Sequence, residues 1–197
     1  NYGGSATGDD FTALTINSAT IRSNTGDIKL YGQGKGNVAG SDYGIETIAG
    51  SQIISNGTGA DAAKITLYGT GGNGATSTNT GICLNSATDA ITTKDGDITL
   101  YGRGGEGAQW GNNGITVSGT IQSTGTGSIS LYGTGATGGA YGNFGVNLVN
   151  ANSRITSAFG NIRIEGVSGS ATYDTNMGIR MYNGAQVTST GTGVGAA

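Results

Sequence analysis

Proline and histidine are absent from the 197 residues, and cysteine occurs once, at Cys83. Without histidine the chain cannot build a Ser-His-Asp or Cys-His arrangement, so the commonest nucleophilic machinery is missing. A single cysteine excludes a disulfide framework and a clustered Cys/His zinc site, so no metal or cofactor is expected. Its scarcity also fits an exported protein. No apolar run approaches the roughly 18 residues of a membrane helix, so no transmembrane segment is expected. Nine Lys and Arg stand against twelve Asp and Glu, with the basic residues scattered singly from Arg22 to Arg180. That pattern lacks the basic stripe that nucleic-acid binding needs. No signal peptide is visible and the first residue is Asn1, which suggests a mature or excised piece of something longer.

What the chain has in abundance is glycine, 41 residues of it, without the three-residue period of collagen. The glycines belong to a repeated sentence. "IKLYGQGKGNVAGSDYGIET" begins at Ile28, and related phrases begin at Ile65, Ile98, Ile129 and Ile162. Repeats of 20 to 50 residues indicate a solenoid, a propeller or an array. After each "YG" or "EG" come twelve residues before the next apolar strand: 33–44, 70–81, 103–114, 134–145 and 167–178, each ending in glycine. Length variation is confined to the return segment.

Three stretches per repeat alternate apolar and polar residues, the period-two pattern of strands. The first is Ile28/Leu30, then Ile65/Leu67, Ile98/Leu100, Ile129/Leu131 and Ile162/Ile164. The second is Ile45, Ile82/Leu84, Ile115/Val117, Val146/Leu148 and Ile179/Met181, with Leu14/Ile16 as an earlier copy. The third is one apolar residue with Ser, Thr or Asn two positions on: Ile21/Ser23, Ile54/Asn56, Ile91/Thr93, Ile121/Ser123, Ile155/Ser157 and Val187/Ser189. No stretch has a helical period. Three short strands per coil of about 33 residues describe an all-β parallel solenoid of roughly six coils, forming one array over residues 1–197; a propeller blade would need a fourth strand and about 40 to 50 residues. Stacked strands also account for the missing proline, which cannot donate to a neighbouring coil.

In this register Tyr31, Tyr68, Tyr101 and Tyr132 form a column spaced by roughly 4.8 Å, the inter-strand distance, with Glu165 in the last copy. The column reads either as a stabilising ladder of cross-strand pairs or as a sugar-stacking or partner-docking stripe. The twelve-residue loops should stack into a ridge along one edge that carries Tyr43, Trp110, Tyr141, Phe144 and Tyr173.

The phrase "TIQSTGTGSISLYGTGATGG", residues 120–139, and its cognates follow a degenerate "GxIxLxGxG". This resembles the glycine-rich strand repeats of very large bacterial surface proteins of the filamentous haemagglutinin-like adhesin type. The resemblance covers essentially the whole chain. It implies a right-handed parallel β-helix, exported and displayed as a long rod at the cell surface. The coil here is longer than the usual one of that group because of the twelve-residue loop.

Several other residues carry possible chemistry. Cys83, between inward Ile82 and Leu84, should face outward as an incidental surface thiol. Asp95, Asp97, Lys64 and Arg103 are the residues to examine for lyase or hydrolase chemistry, but the alternation of Asp27, Lys64 and Asp97 along successive coils reads as surface ion pairing. The "GGNG" and "GGEG" at Gly71 and Gly104 lack the aspartate of calcium-binding nonapeptide repeats, with Thr76 and Gln109 near that place. Asp42, Asp89 and Asp174 are scattered acids able at most to hold an opportunistic ion. Outward threonine columns of the ice-binding kind are interrupted by Lys29 and Arg163 in the first strand and by Glu46 and Arg180 in the second. The sequon Asn56-Gly57-Thr58 is a lone match.

The chain opens in the tail of a first strand and closes just before another would begin, with no capping segment at either end. A window of a longer solenoid or a fibre subunit is expected. The functional expectation is therefore a non-catalytic structural or adhesive rod of an extracellular bacterial surface filament. Its partners would be neighbouring copies or further repeats, and surface glycans. The alternative is a carbohydrate-active β-helix enzyme or a carbohydrate-binding module, which should gather its acids beside an aromatic subsite.

Overall fold

The computed structural model describes residues 11–36, 40–74, 78–107, 110–139, 141–172 and 175–192. Every side of the coil is a parallel sheet. The first sheet holds Ile28–Gln33, Ile65–Thr70, Ile98–Arg103, Ile129–Thr134 and Ile162–Val167. The second holds Leu14–Asn17, Ile45–Ile48, Ile82–Leu84, Ile115–Val117, Val146–Leu148 and Ile179–Met181, and the third holds Thr20–Ser23, Gln52–Ser55, Ala90–Thr93, Thr120–Ser123, Arg154–Ser157 and Gln186–Ser189. Each strand pairs with its counterpart one coil away, so the chain is a β-solenoid of about five turns. Among the described residues helix is limited to one short 3-10 turn, Gly59–Asp61. Among the described residues no helix is long and apolar enough to cross a membrane.

The alternation seen in the sequence is the alternation of burial. Ile65, Leu67, Ile98, Leu100, Ile129 and Leu131 are fully buried, and each pairs in register with the same position of the adjacent coil. One cluster runs along the axis and draws side chains from all three sheets. A lone coil could not close such a core; neighbouring coils extend the same columns and make it continuous.

One position of the expected register is corrected. In the second copy of the third strand the inward pair is Ile53 and Ser55, not Ile54 and Asn56: Ile53 pairs with Ile21 and Ile91 and is fully buried, while Ile54 pairs with Arg22 and Thr92. "QIISN" satisfies the apolar-then-polar rule in two frames, and a one-residue slip exchanges the faces of a strand. The frame is chosen by the columns above and below.

The twelve-residue loops leave the coil between the first and second sheets as thin arms, and here glycine is required by contact. A Cβ on Gly32, Gly69, Gly102, Gly133 or Gly166 would lie 1.9–2.2 Å from the carbonyl oxygen of the glycine that closes the same loop. Farther out, a Cβ on Gly71, Gly104 or Gly135 would lie 2.1–2.2 Å from the carbonyl of Asn79, Asn112 or Asn143. The two legs of each arm thus touch backbone to backbone. Each leg hydrogen-bonds to the next coil, as in Gly71 N–H to Arg103 O at 2.9 Å and Gly81 N–H to Asn113 O at 3.0 Å. The constant loop length follows from this stacking, since an inserted residue would break both ladders.

Candidate functional site

Two aromatic arrays emerge from the coil, and their geometry differs. Tyr31, Tyr68, Tyr101 and Tyr132 stack face to face at 4.8, 5.0 and 5.0 Å with interplanar angles of 4–10°. The in-register strands impose that spacing, and the facing ring surfaces between Tyr31 and Tyr132 cover one another, while Tyr31 at the end of the column is 68% exposed. Arg163 lies over Tyr132 at 5.7 Å and is held by Glu165, the residue that replaces tyrosine in the last copy. That hydrogen bond holds the Arg163 guanidinium above its ordinary pKa. Within the column Tyr68 and Tyr101 therefore present mainly edges and hydroxyls to solvent, and Tyr31 is the most exposed of its rings.

The second array lines a groove. The arms lean over the outer side of the second sheet and enclose a groove of about 740 Å³. Its floor is the outward row of that sheet, Cys83, Thr116, Asn147 and Arg180, in register on successive coils. Its wall is Tyr43, Trp110, Tyr141 and Phe144 from the arms. Trp110 is 65% and Tyr141 43% exposed, and their rings meet edge to face at 6.3 Å and 68°. Phe144 is buried, with Arg180 over its ring at 4.8 Å and also over Tyr182 at 4.0 Å. Four of the five aromatic residues expected on the loop ridge thus line one groove; the fifth, Tyr173, lies outside the described residues.

Cys83 requires a correction. It points away from the coil, as the alternation predicts, but it is 4% exposed and not a surface thiol, because the arms close over it. Burial, reinforced by the charges of Glu46 and Asp89, pushes its thiol far up from the ordinary value. Burial likewise raises the Tyr43 phenol, whose hydroxyl bonds to Thr78 at 3.0 Å.

The acids examined for catalysis do not converge. Asp95 accepts from the N–H groups of Gly59 at 2.9 Å and Thr126 at 3.0 Å, which hold its carboxyl below the usual range. Asp97 accepts from Ser128 N–H at 3.0 Å and pairs with Lys64 at 3.5 Å, an exposed contact, and Asp27 accepts from Lys64 N–H at 3.0 Å. Arg103 lies on the opposite side of the arms with Gln33, Lys35 and Glu106. Asp89 is a corner staple: it accepts from Thr47 Oγ1, and from the N–H groups of Gly50, Ser51 and Ser86, at 2.8–3.0 Å. Asp174, Thr76 and Gln109 lie outside the described residues. Among those described, no group of three or more His, Cys, Asp and Glu is placed to hold a metal.

The repeat hides one device that the strand pattern did not reveal. The tenth residue of every loop is Asp42, Asn79, Asn112, Asn143 or Asn176. Asn79 Oδ1 accepts from Asp42 N–H at 3.2 Å, Asn112 Oδ1 from Asn79 N–H at 3.0 Å, and Asn176 Oδ1 from Asn143 N–H at 3.0 Å. The Asn79 amide donates to Gly74 O at 2.8 Å and that of Asn112 to Gly107 O at 3.3 Å. The Asn79 and Asn112 side chains each tie their own arm into a fixed shape and link it to the adjacent coil. Aligning the loops residue by residue would have exposed the position.

A scan against protein-family models gives no match to this chain, and searches of curated proteins and of solved structures give none either.

Proposed function

We propose that the chain is a non-catalytic structural and adhesive rod, part of an extracellular bacterial surface filament, and that the groove beneath its arms is the adhesive surface. The observation that carries the reading is the groove itself: an exposed Trp110 and Tyr141 above a polar floor, with no carboxylate among its described lining residues. Glycoside cleavage ordinarily needs two carboxylates flanking the bond, so this lining suits holding a sugar rather than cutting it. Repetition supports the rod. Strands in all three sheets pair in register with their counterparts one coil away, an arrangement that extends along one axis.

Small-angle scattering of the purified chain should give the cross-section of a stiff rod, and a polysaccharide screen should give binding without turnover. A carbohydrate-active enzyme is selected instead if turnover appears and is lost in Asp97→Asn or Arg103→Gln. The tyrosine column is the internal control. Because its rings stack on one another along the ladder, replacing all four tyrosines by serine should lower the melting temperature and leave binding per folded molecule unchanged.

A further inference from the structure

The polar groups of the groove are unevenly committed. Thr78 bonds to Tyr43 and Ser41, Thr80 to Gly111 O, Asn85 to Glu46, and Asn113 to Thr116 and to Phe144 N–H. Two floor residues differ. Asn147 is 7% exposed, and its Oδ1 is buried without a hydrogen-bond partner. Arg180, one rung away, rests on two aromatic rings. The ion pairs found among the described residues, Lys29–Asp27, Lys64–Asp97 and Arg163–Glu165, do not include it.

A buried acceptor left open costs stability unless something donates to it. A guanidinium fixed by aromatic contact keeps its fork of in-plane donors, matched to a planar carboxylate. Exposed indole and phenol rings beside these groups add an apolar platform. We infer that the groove binds a carboxylate-bearing glycan of the uronic-acid type. A pyranose face lies on Trp110 or Tyr141, the carboxylate is at Arg180, and a hydroxyl donates to Asn147 Oδ1. An acidic peptide would satisfy Arg180 and could donate an N–H to Asn147 Oδ1, but its carboxylate side chains bring no flat apolar face for the ring platform. This inference rests on the adhesive reading above and specifies its ligand.

Trp110 is the only tryptophan of the chain, so its fluorescence reports occupancy of the unmodified protein. Titration with tetragalacturonate should perturb that emission and saturate, and the affinity should fall as salt rises. The fully methyl-esterified tetramer should bind about ten-fold or more weakly, the worth of a charge-assisted contact. Arg180→Gln should bring the acid down to the affinity of the ester. Arg180→Lys, which keeps the charge without the fork, should fall between. Thermal melts verify folding of both variants, and Arg163→Gln at the tyrosine column should change nothing. Equal affinity for acid and ester, or an acid preference that survives in Arg180→Gln, overturns the uronate assignment and leaves a neutral-glycan adhesive rod standing. A glutamate hexapeptide binding as tightly as the tetramer overturns it in favour of a protein partner. No binding of either sugar overturns the assignment together with the glycan part of the adhesive reading, while the rod is judged separately by scattering.

Discussion

Inside the coil, successive turns are joined mainly by columns of isoleucine, leucine and valine, with buried Ser55, Thr93, Ser123 and Ser157 beside them in the third sheet; at the necks of the arms, the same turn-on-turn stacking is achieved by legs in direct backbone contact. Ile98 contributes a whole side chain to its column and is fully buried, whereas Gly102, four residues on, has no room for one methyl group. The coil is stabilised by apolar area. The arm is stabilised by two backbone ladders and by the asparagine row that closes them. High glycine content here is a packing requirement, not a sign of slack chain, and the two regions should respond to substitution in opposite ways.

The comparison breaks most visibly in the core. Ile98→Asp places an unpaired carboxylate among apolar neighbours and should cost several kcal/mol, on the order of 4 or more, with a matching drop in the denaturation midpoint. An unchanged melt would mean that the faces of the strand are reversed. Ile98→Val, by contrast, should cost only about 0.5–1.5 kcal/mol.

In the arm, Asn79→Ala removes the acceptor of Asp42 N–H and the donor to Gly74 O, both internal. It should cost roughly 2–4 kcal/mol by leaving buried backbone groups open, and proteolysis within 70–81 should then accelerate. Resistance to that cleavage in the variant would show that the arm is shaped by its glycines alone.

Next is the addition of a single methyl group. Gly102→Ala puts a Cβ 2.2 Å from Gly114 O and should cost about 1–3 kcal/mol, as overpacking does. In Gly26→Ala the nearest atom would be Ser23 Oγ at 3.7 Å, and the change should stay within about 0.5 kcal/mol. Equal effects from the two would deny that the neck is pinched.

The smallest effect expected is electrostatic. The folded-state pKa of Asp95 is depressed by the N–H groups of Gly59 and Thr126, so its contribution is present above the unfolded aspartate value and is lost as pH falls through the lowered folded one. Wild type should therefore lose slightly more stability than Asp95→Asn between pH 5 and the acid limit. Identical acid profiles would show that these exposed bonds contribute nothing measurable.

Much of this architecture was legible as translation along the sequence. Period-two alternation assigns inside and outside within one strand, and repetition at about 33 residues aligns strands between coils. Three parallel sheets, the tyrosine column and the fixed loop length therefore followed from residues such as Ile98, Leu100 and Tyr101. Where two frames obeyed the same local rule, as at Ile53 and Ile54, the sequence alone could not choose; the pairing with Ile21 and Ile91 did. The asparagine row was visible in principle, but strand logic does not interrogate loop positions.

The groove was decided by tertiary structure. Cys83, Asn147 and Arg180 lie on different coils, and Trp110 and Tyr141 lie on different arms. Nothing in their spacing says that the arms fold back over the second sheet. The arms are held by glycine legs in backbone contact and by the asparagine bonds between coils. The sequence by itself determined the repeat, the faces and the columns, because these are local periodicities copied along the chain. Only the folded arms determined which outward residues are enclosed, because enclosure depends on the direction in which a rigid projection packs.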